Sequence, residues 1–64
     1  MVMINGEQVQ ADGMTVSQYL AQEKLRPETV AVMLGNDILP KDRYGTTVLS
    51  DGDQLEVVGF VGGG

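Results

Sequence analysis

The 64-residue chain has no cysteine and no histidine. Without cysteine it has no disulfide to staple a small fold, and thiolate chemistry is excluded. The absence also fits a reducing compartment. Without histidine there is no nucleophile–imidazole pair and little to hold a structural metal. Basic residues are scarce: four Lys and Arg stand against nine Asp and Glu, a net charge of −5. That balance argues against nucleic acid as a partner, because such binding rests on cations neutralising phosphates. It suits solubility and encounter with a basic surface. Long apolar runs are missing as well. Nothing approaches the roughly 20 residues that span a bilayer, and no basic start precedes an apolar stretch in the manner of a signal peptide. The expected location is the cytoplasm, away from membranes.

What remains must fold around one small apolar core. Residues of hydrophobic type make up 42% of the chain, far above a disordered composition. One domain is expected at this length, of marginal stability, because a chain this short buries only about 60% of its unfolded surface.

The chain opens on an apolar run, "MVMI" at 1–4, followed by Asn5-Gly6 and the return segment "EQVQA". Asn-Gly is the strongest short signal for a type I′ hairpin turn, so an initial β-hairpin is expected. The period then changes. Val16, Tyr19 and Leu20 share one helical face, and Thr15 with Gln18 matches a capping box. Pro27 discourages continuation, and Lys24 and Arg26 fall where cations favour the helix dipole. The spacing predicts a helix over 15–24. "VAVML" at 30–34 reads as a strand buried on both faces. "GND" is a turn, and "ILP" at 38–40 is a short strand that Pro40 confines to an edge or an end. "KDRYGTT" reads as loop or a single helical turn. Val48-Leu49 is too short to assign, and "SDGD" at 50–53 is a dense turn signal. "QLEVVGFV" at 54–61 is the last strand.

The expected fold is therefore α+β, with the order ββαβββ and one helix covering one face of a sheet. In the last strand Leu55 and Val57 alternate with Glu56 and Val58. If the first pair faces the core, Val58 and Phe60 face the uncovered side of the sheet. There they are candidates for partner docking, with Phe60 equally suited to the edge of the core.

Enzymatic machinery is hard to find. Asp51 and Asp53 straddle a glycine in a turn, where such residues serve the backbone. Gly6, Gly13, Gly35 and Gly52 are scattered among turns and form no phosphate-binding loop. The distinctive feature is the end, "GGG" at 62–64. Glycine is flexible and has no side chain, so the segment is expected to be a thin, mobile tail after a body of 1–61. Three extended residues reach about 10 Å, enough to carry a carboxylate ionised at neutral pH into a narrow channel of another enzyme. Activation of that carboxylate by ATP and attack by a sulfur nucleophile is chemistry that bulk at the end would block.

The segments "MINGE", "TVSQYL", "VAVMLGNDILPKDRY", "LSDGDQLEVV" and the "GG" end together resemble the ThiS family, sulfur carriers of thiamine biosynthesis with the ubiquitin-like β-grasp fold, a mixed sheet packed on one helix. The resemblance implies the following. An adenylating enzyme, ThiF, uses ATP and Mg²⁺ to form an adenylate on Gly64, and the carrier holds no permanent cofactor or metal. Sulfur from a cysteine desulfurase persulfide gives the Gly64 thiocarboxylate. Thiazole synthase, ThiG, takes that sulfur while building thiazole phosphate from 1-deoxy-D-xylulose 5-phosphate. The chain is then acted upon and is not itself a catalyst. Gly63 is the second position of the family's Gly-Gly end, and Gly62 is an additional glycine. The small subunit of molybdopterin synthase shares the fold and the Gly-Gly end but is usually longer. A lysine-conjugated modifier and a β-grasp binding domain without tail chemistry are further alternatives.

Overall fold

The computed structural model describes residues 1–59. Strands β1 (Val2–Ile4) and β2 (Glu7–Val9) form the expected hairpin, with Ile4 opposite Glu7. Asn5 and Gly6 both have positive φ, 52° and 84°, as a type I′ turn requires. Helix α1 (Val16–Gln22) follows, then a 3₁₀ turn at Pro27–Thr29, β3 (Val30–Leu34), β4 (Asp37–Leu39), a second 3₁₀ turn at Lys41–Arg43, and β5 (Gln54–Gly59). The order is ββαβββ, as the sequence implies. The five strands make one mixed sheet in the order β2-β1-β5-β3-β4. Its central pair, β1 and β5, is parallel; the other neighbours are antiparallel. β5 lies at the middle of the sheet, although it closes the described chain.

The helix begins as read and ends earlier. Thr15 is its N-cap: the Gln18 N–H donates to Thr15 Oγ1 at 3.1 Å, and the Thr15 N–H donates to Gln18 Oε1 at 2.9 Å. The far end closes at Glu23, so Lys24 and Arg26 lie beyond the helix and its last turn holds no basic residue. These cations follow the helix end and do not belong to its last turn. Instead Lys24 adopts φ 60°. The Lys24 N–H donates to the Ala21 carbonyl at 3.0 Å and the Leu25 N–H to the Leu20 carbonyl at 2.8 Å. This is a Schellman ending, which satisfies carbonyls the helix would otherwise leave open and normally places glycine where Lys24 stands. A left-handed backbone costs an L-residue about 1–2 kcal/mol. Lys24→Gly relieves that cost, partly offset by the greater freedom of glycine in the unfolded chain. It is expected to stabilise the protein by about 0.5–1 kcal/mol, read as a higher midpoint in thermal melting. An unchanged or lower midpoint would show that Lys24 bears no strain.

Val2, Ile4, Val16, Tyr19, Leu20, Val30, Val32 and Leu55 form the core between the helix and one face of the sheet. The three helical residues predicted to share a face are all buried. Two further core residues, Tyr44 and Leu49, come from segments that read as loop or as unassignable. β3 departs from its reading. Val30 and Val32 are buried, but Ala31 and Met33 are only partly covered. The single helix covers one face of the sheet, so β3 is central without being buried on both sides. β4 is an edge strand, as Pro40 suggests, and Pro40 itself caps the following 3₁₀ turn.

Candidate functional site

The last strand leads to the glycine end, and the structure fixes how it does so up to Gly59. Leu55 is buried and Val57 packs against the core. The alternation of the strand turns Val58 to the uncovered face, where it is 53% exposed. This is the orientation expected for Val58. Phe60, Gly62, Gly63 and Gly64, the other candidate residues, lie outside the described residues, as does the expected end of the last strand at 60–61.

Register shows what surrounds Val58. Val58 is opposite Ala31, Glu56 is opposite Met33, and Met33 is opposite Ile38. Directly paired residues share a face of a sheet, so Val58, Ala31, Met33 and Ile38 form an apolar strip across three strands. Ile38, at the edge, is 75% exposed. Glu56 borders the strip, with Gln54 opposite Met3 beyond it. The sequence reading named Val58 and missed Ala31, Met33 and Ile38. Their signal was the alternation within 30–34 and 37–39, hidden because the first run is apolar at every position.

The helix side of the same strand end carries a shallow groove lined by Asn5, Glu7, Tyr19, Glu23, Val57 and Gly59. Burial first, and then the carboxylates of Glu23 and Glu7, push the Tyr19 phenol above its ordinary value. It therefore stays protonated at neutral pH and offers no base. Asp53 serves its turn: its Oδ2 accepts from the Ser50 N–H at 2.9 Å, while Gly52 supplies a φ of 89°. Among the described residues no three acidic side chains gather closely enough to hold a metal ion. Nor is any helix among them long and apolar enough to cross a membrane. The arrangement provides a strand paired with β1 on one edge and with β3 on the other, with an apolar face beside it.

Comparison with known proteins gives this arrangement a family. The model of the ThiS family matches residues 2–64. The sulfur carrier protein ThiS of Bacillus subtilis is 38% identical over 66 residues, covering the whole of both chains. A thiazole synthase of Paramagnetospirillum magneticum is 39% identical over 64 residues, 98% of this chain but 20% of that protein. The chain thus spans about a fifth of the length of the thiazole synthases it matches. In three dimensions, the crystal structure of the thiamine biosynthesis protein ThiS from Geobacter metallireducens superposes with a TM-score of 0.76 at 31% identity, covering 98% of this chain and 97% of that one. The ββαβββ sheet and single helix are the β-grasp of these carriers. The chain belongs to the ThiS family.

Proposed function

We propose that this protein carries sulfur as a thiocarboxylate on Gly64, at the end of a glycine tail, 62–64, that extends from a β-grasp body of 1–61. The observation that carries the reading is the family match, which runs through the glycines to residue 64. A carboxylate is a poor acyl donor. An E1-like enzyme of the ThiF type, with ATP and Mg²⁺, joins a Gly64 carboxylate oxygen to the α-phosphorus and releases pyrophosphate. A persulfide supplied through a cysteine desulfurase then attacks the carbonyl with its terminal sulfur and expels AMP. A thiol that attacks the distal sulfur of the resulting acyl disulfide releases the Gly64 thiocarboxylate and leaves a disulfide on the donor. Gly63 and Gly62 keep the segment thin enough to enter the activating site. ATP is available in the cytoplasm, which fits the location expected from the sequence.

The recipient is a thiazole synthase of the ThiG type. Two thiazole synthases with a segment similar to this whole chain support that association. Val58, with Phe60 beyond it, docks the activating enzyme through the uncovered sheet face. Apolar exposure beside the strand that leads to the tail supports this, since a carrier must be held by its body while its end reacts. Val58→Asp is expected to raise KM for the activating enzyme about tenfold or more, the scale of losing an apolar anchor of about 1–2 kcal/mol. The melting temperature should stay close to that of the parent, because Val58 is half exposed. An unchanged KM would place docking elsewhere, and a collapsed melting temperature would return Val58 to the core.

The reading as a whole is tested by ATP–pyrophosphate exchange with a purified ThiF-type enzyme. Exchange that depends on this protein is expected. Absence of exchange with an enzyme active on its own carrier would contradict the assignment.

A further inference from the structure

The ladder between β1 and β5 ends where β1 turns away. Its last backbone bond runs from the Asn5 N–H to the Leu55 carbonyl at 3.0 Å. Two residues further along β5, Val57 presents an N–H and a C=O to the same edge, and β1 has no strand residue left to meet them. The Asn5 side chain meets both. Asn5 Oδ1 accepts from the Val57 N–H at 2.8 Å, and Asn5 Nδ2 donates to the Val57 carbonyl at 3.1 Å. A primary amide carries the same donor and acceptor as a peptide group, so this side chain stands in for the missing residue of a neighbouring strand. The bonding also fixes the amide orientation, because an N–H needs the oxygen and a carbonyl needs the nitrogen.

On its other edge β5 stays paired to β3 as far as Val30 opposite Gly59. Asn5 and β3 therefore grip the strand from both sides at Val57, two positions before Gly59. The turn geometry demands only a residue that tolerates positive φ at position 5, and glycine or aspartate meets that demand. Only asparagine also supplies both halves of the clamp. A strand end paired on one edge opens more readily than one held on both.

We propose that Asn5 is a positioning residue for the carried group. Its amide fixes Val57 and so the direction in which the chain leaves the sheet, and hence how the terminal carboxylate is presented to the activating enzyme. The inference rests on the sulfur-carrier reading above and adds a residue more than fifty positions from the reacting end.

The test is Asn5→Gly, which keeps a turn compatible with Gly6 and removes only the clamp. Three results are expected. The hairpin and fold persist. The Val57 amide exchanges with deuterium faster while the Val32 amide in β3 is unaffected. In ATP–pyrophosphate exchange kcat falls about tenfold, as misplacing a reacting group does, while KM is unchanged because the docking face is intact. Thr15→Ala, which removes the helix cap far from β5, serves as the control for lost stability. An equal fall in kcat for Thr15→Ala would overturn the positioning role, as would parental kcat in Asn5→Gly with a freely exchanging Val57 amide. If Asn5→Gly fails to fold, Asn5→Asp decides on the same readouts. It keeps the turn and the acceptor but loses the donor, so kcat should still fall at constant KM, and parental kcat refutes the inference. Parental protein that supports no exchange at all removes the carrier reading itself. Normal exchange by the parent with an indifferent Asn5 variant removes only the present inference.

Discussion

Deletion of Gly64 is expected to abolish adenylate formation and leave the melting temperature unchanged. On the carrier reading the reacting group is the carboxylate of the last residue. Removing that residue leaves a carboxylate on Gly63, drawn back by about 3.3–3.6 Å. In-line attack on phosphorus needs reacting atoms about 3–3.5 Å apart, and a misplacement of about 1 Å can cost a hundredfold in rate. The loss should therefore exceed about 10²-fold in pyrophosphate exchange. Gly64→Ala separates reach from bulk. It restores the distance and adds one methyl group to a close-fitting site, an overpacking cost of about 1–3 kcal/mol, which corresponds to roughly ten- to a hundredfold in rate. Stability should not follow either change, because the core found among the described residues lies between Val2 and Leu55. Parental rates in both variants would show that the end does no chemistry and would favour a β-grasp binding domain.

The second large effect falls on the fold. Leu20 is fully buried on the inner face of α1, against the sheet. Truncating a buried leucine to alanine costs about 2–5 kcal/mol, from lost transfer energy and the cavity left behind. Domains have about 0.05–0.15 kcal/mol of net stability per residue, so 64 residues provide roughly 3–10 kcal/mol in all. There is no disulfide to limit the damage. Leu20→Ala is thus expected to lower the melting midpoint by more than about 10 °C, at about 4–8 °C per kcal/mol for a domain of this size. A shift of only a few degrees would mean that the core closes around the gap. The contrast with Val58→Asp is informative, since the buried position should lose stability and the exposed one docking.

Some of this architecture was legible in the sequence for definite reasons. Asn5-Gly6 names its turn, because few residue pairs accept two positive φ values in succession. Val16, Tyr19 and Leu20 declare the helix by spacing, and the outward orientation of Val58 follows from alternation once Leu55 is placed in the core. Tyr44 and Leu49 were not legible. Tyr44 is alone in a polar stretch and Leu49 belongs to a two-residue apolar pair, so neither has a period to betray it. What places them is bonding between distant segments: the Ser17 N–H donates to the Tyr44 carbonyl at 2.9 Å, and the Leu49 N–H to the Met14 carbonyl at 2.8 Å. The all-apolar run at 30–34 misled for the complementary reason, since a local pattern does not say how many layers cover a sheet. Lys24 hid the helix end by occupying a position that glycine usually marks. The Asn5 clamp was hidden as well, because the signal that identified the turn fully accounted for the residue. Resemblance along the whole chain supplied what pattern reading did not, namely the role proposed here for the terminal glycines.

The most direct test of the account is the intact mass of the protein isolated from its own cells without reductive or alkylating treatment. The expected result is a fraction heavier by one sulfur-for-oxygen exchange, with fragmentation placing the change on Gly64. A uniform, unmodified mass, from cells blocked in thiazole synthesis and shifted from thiamine-fed growth into thiamine-free medium so that any thiocarboxylate accumulates, would contradict the claim that Gly64 carries sulfur.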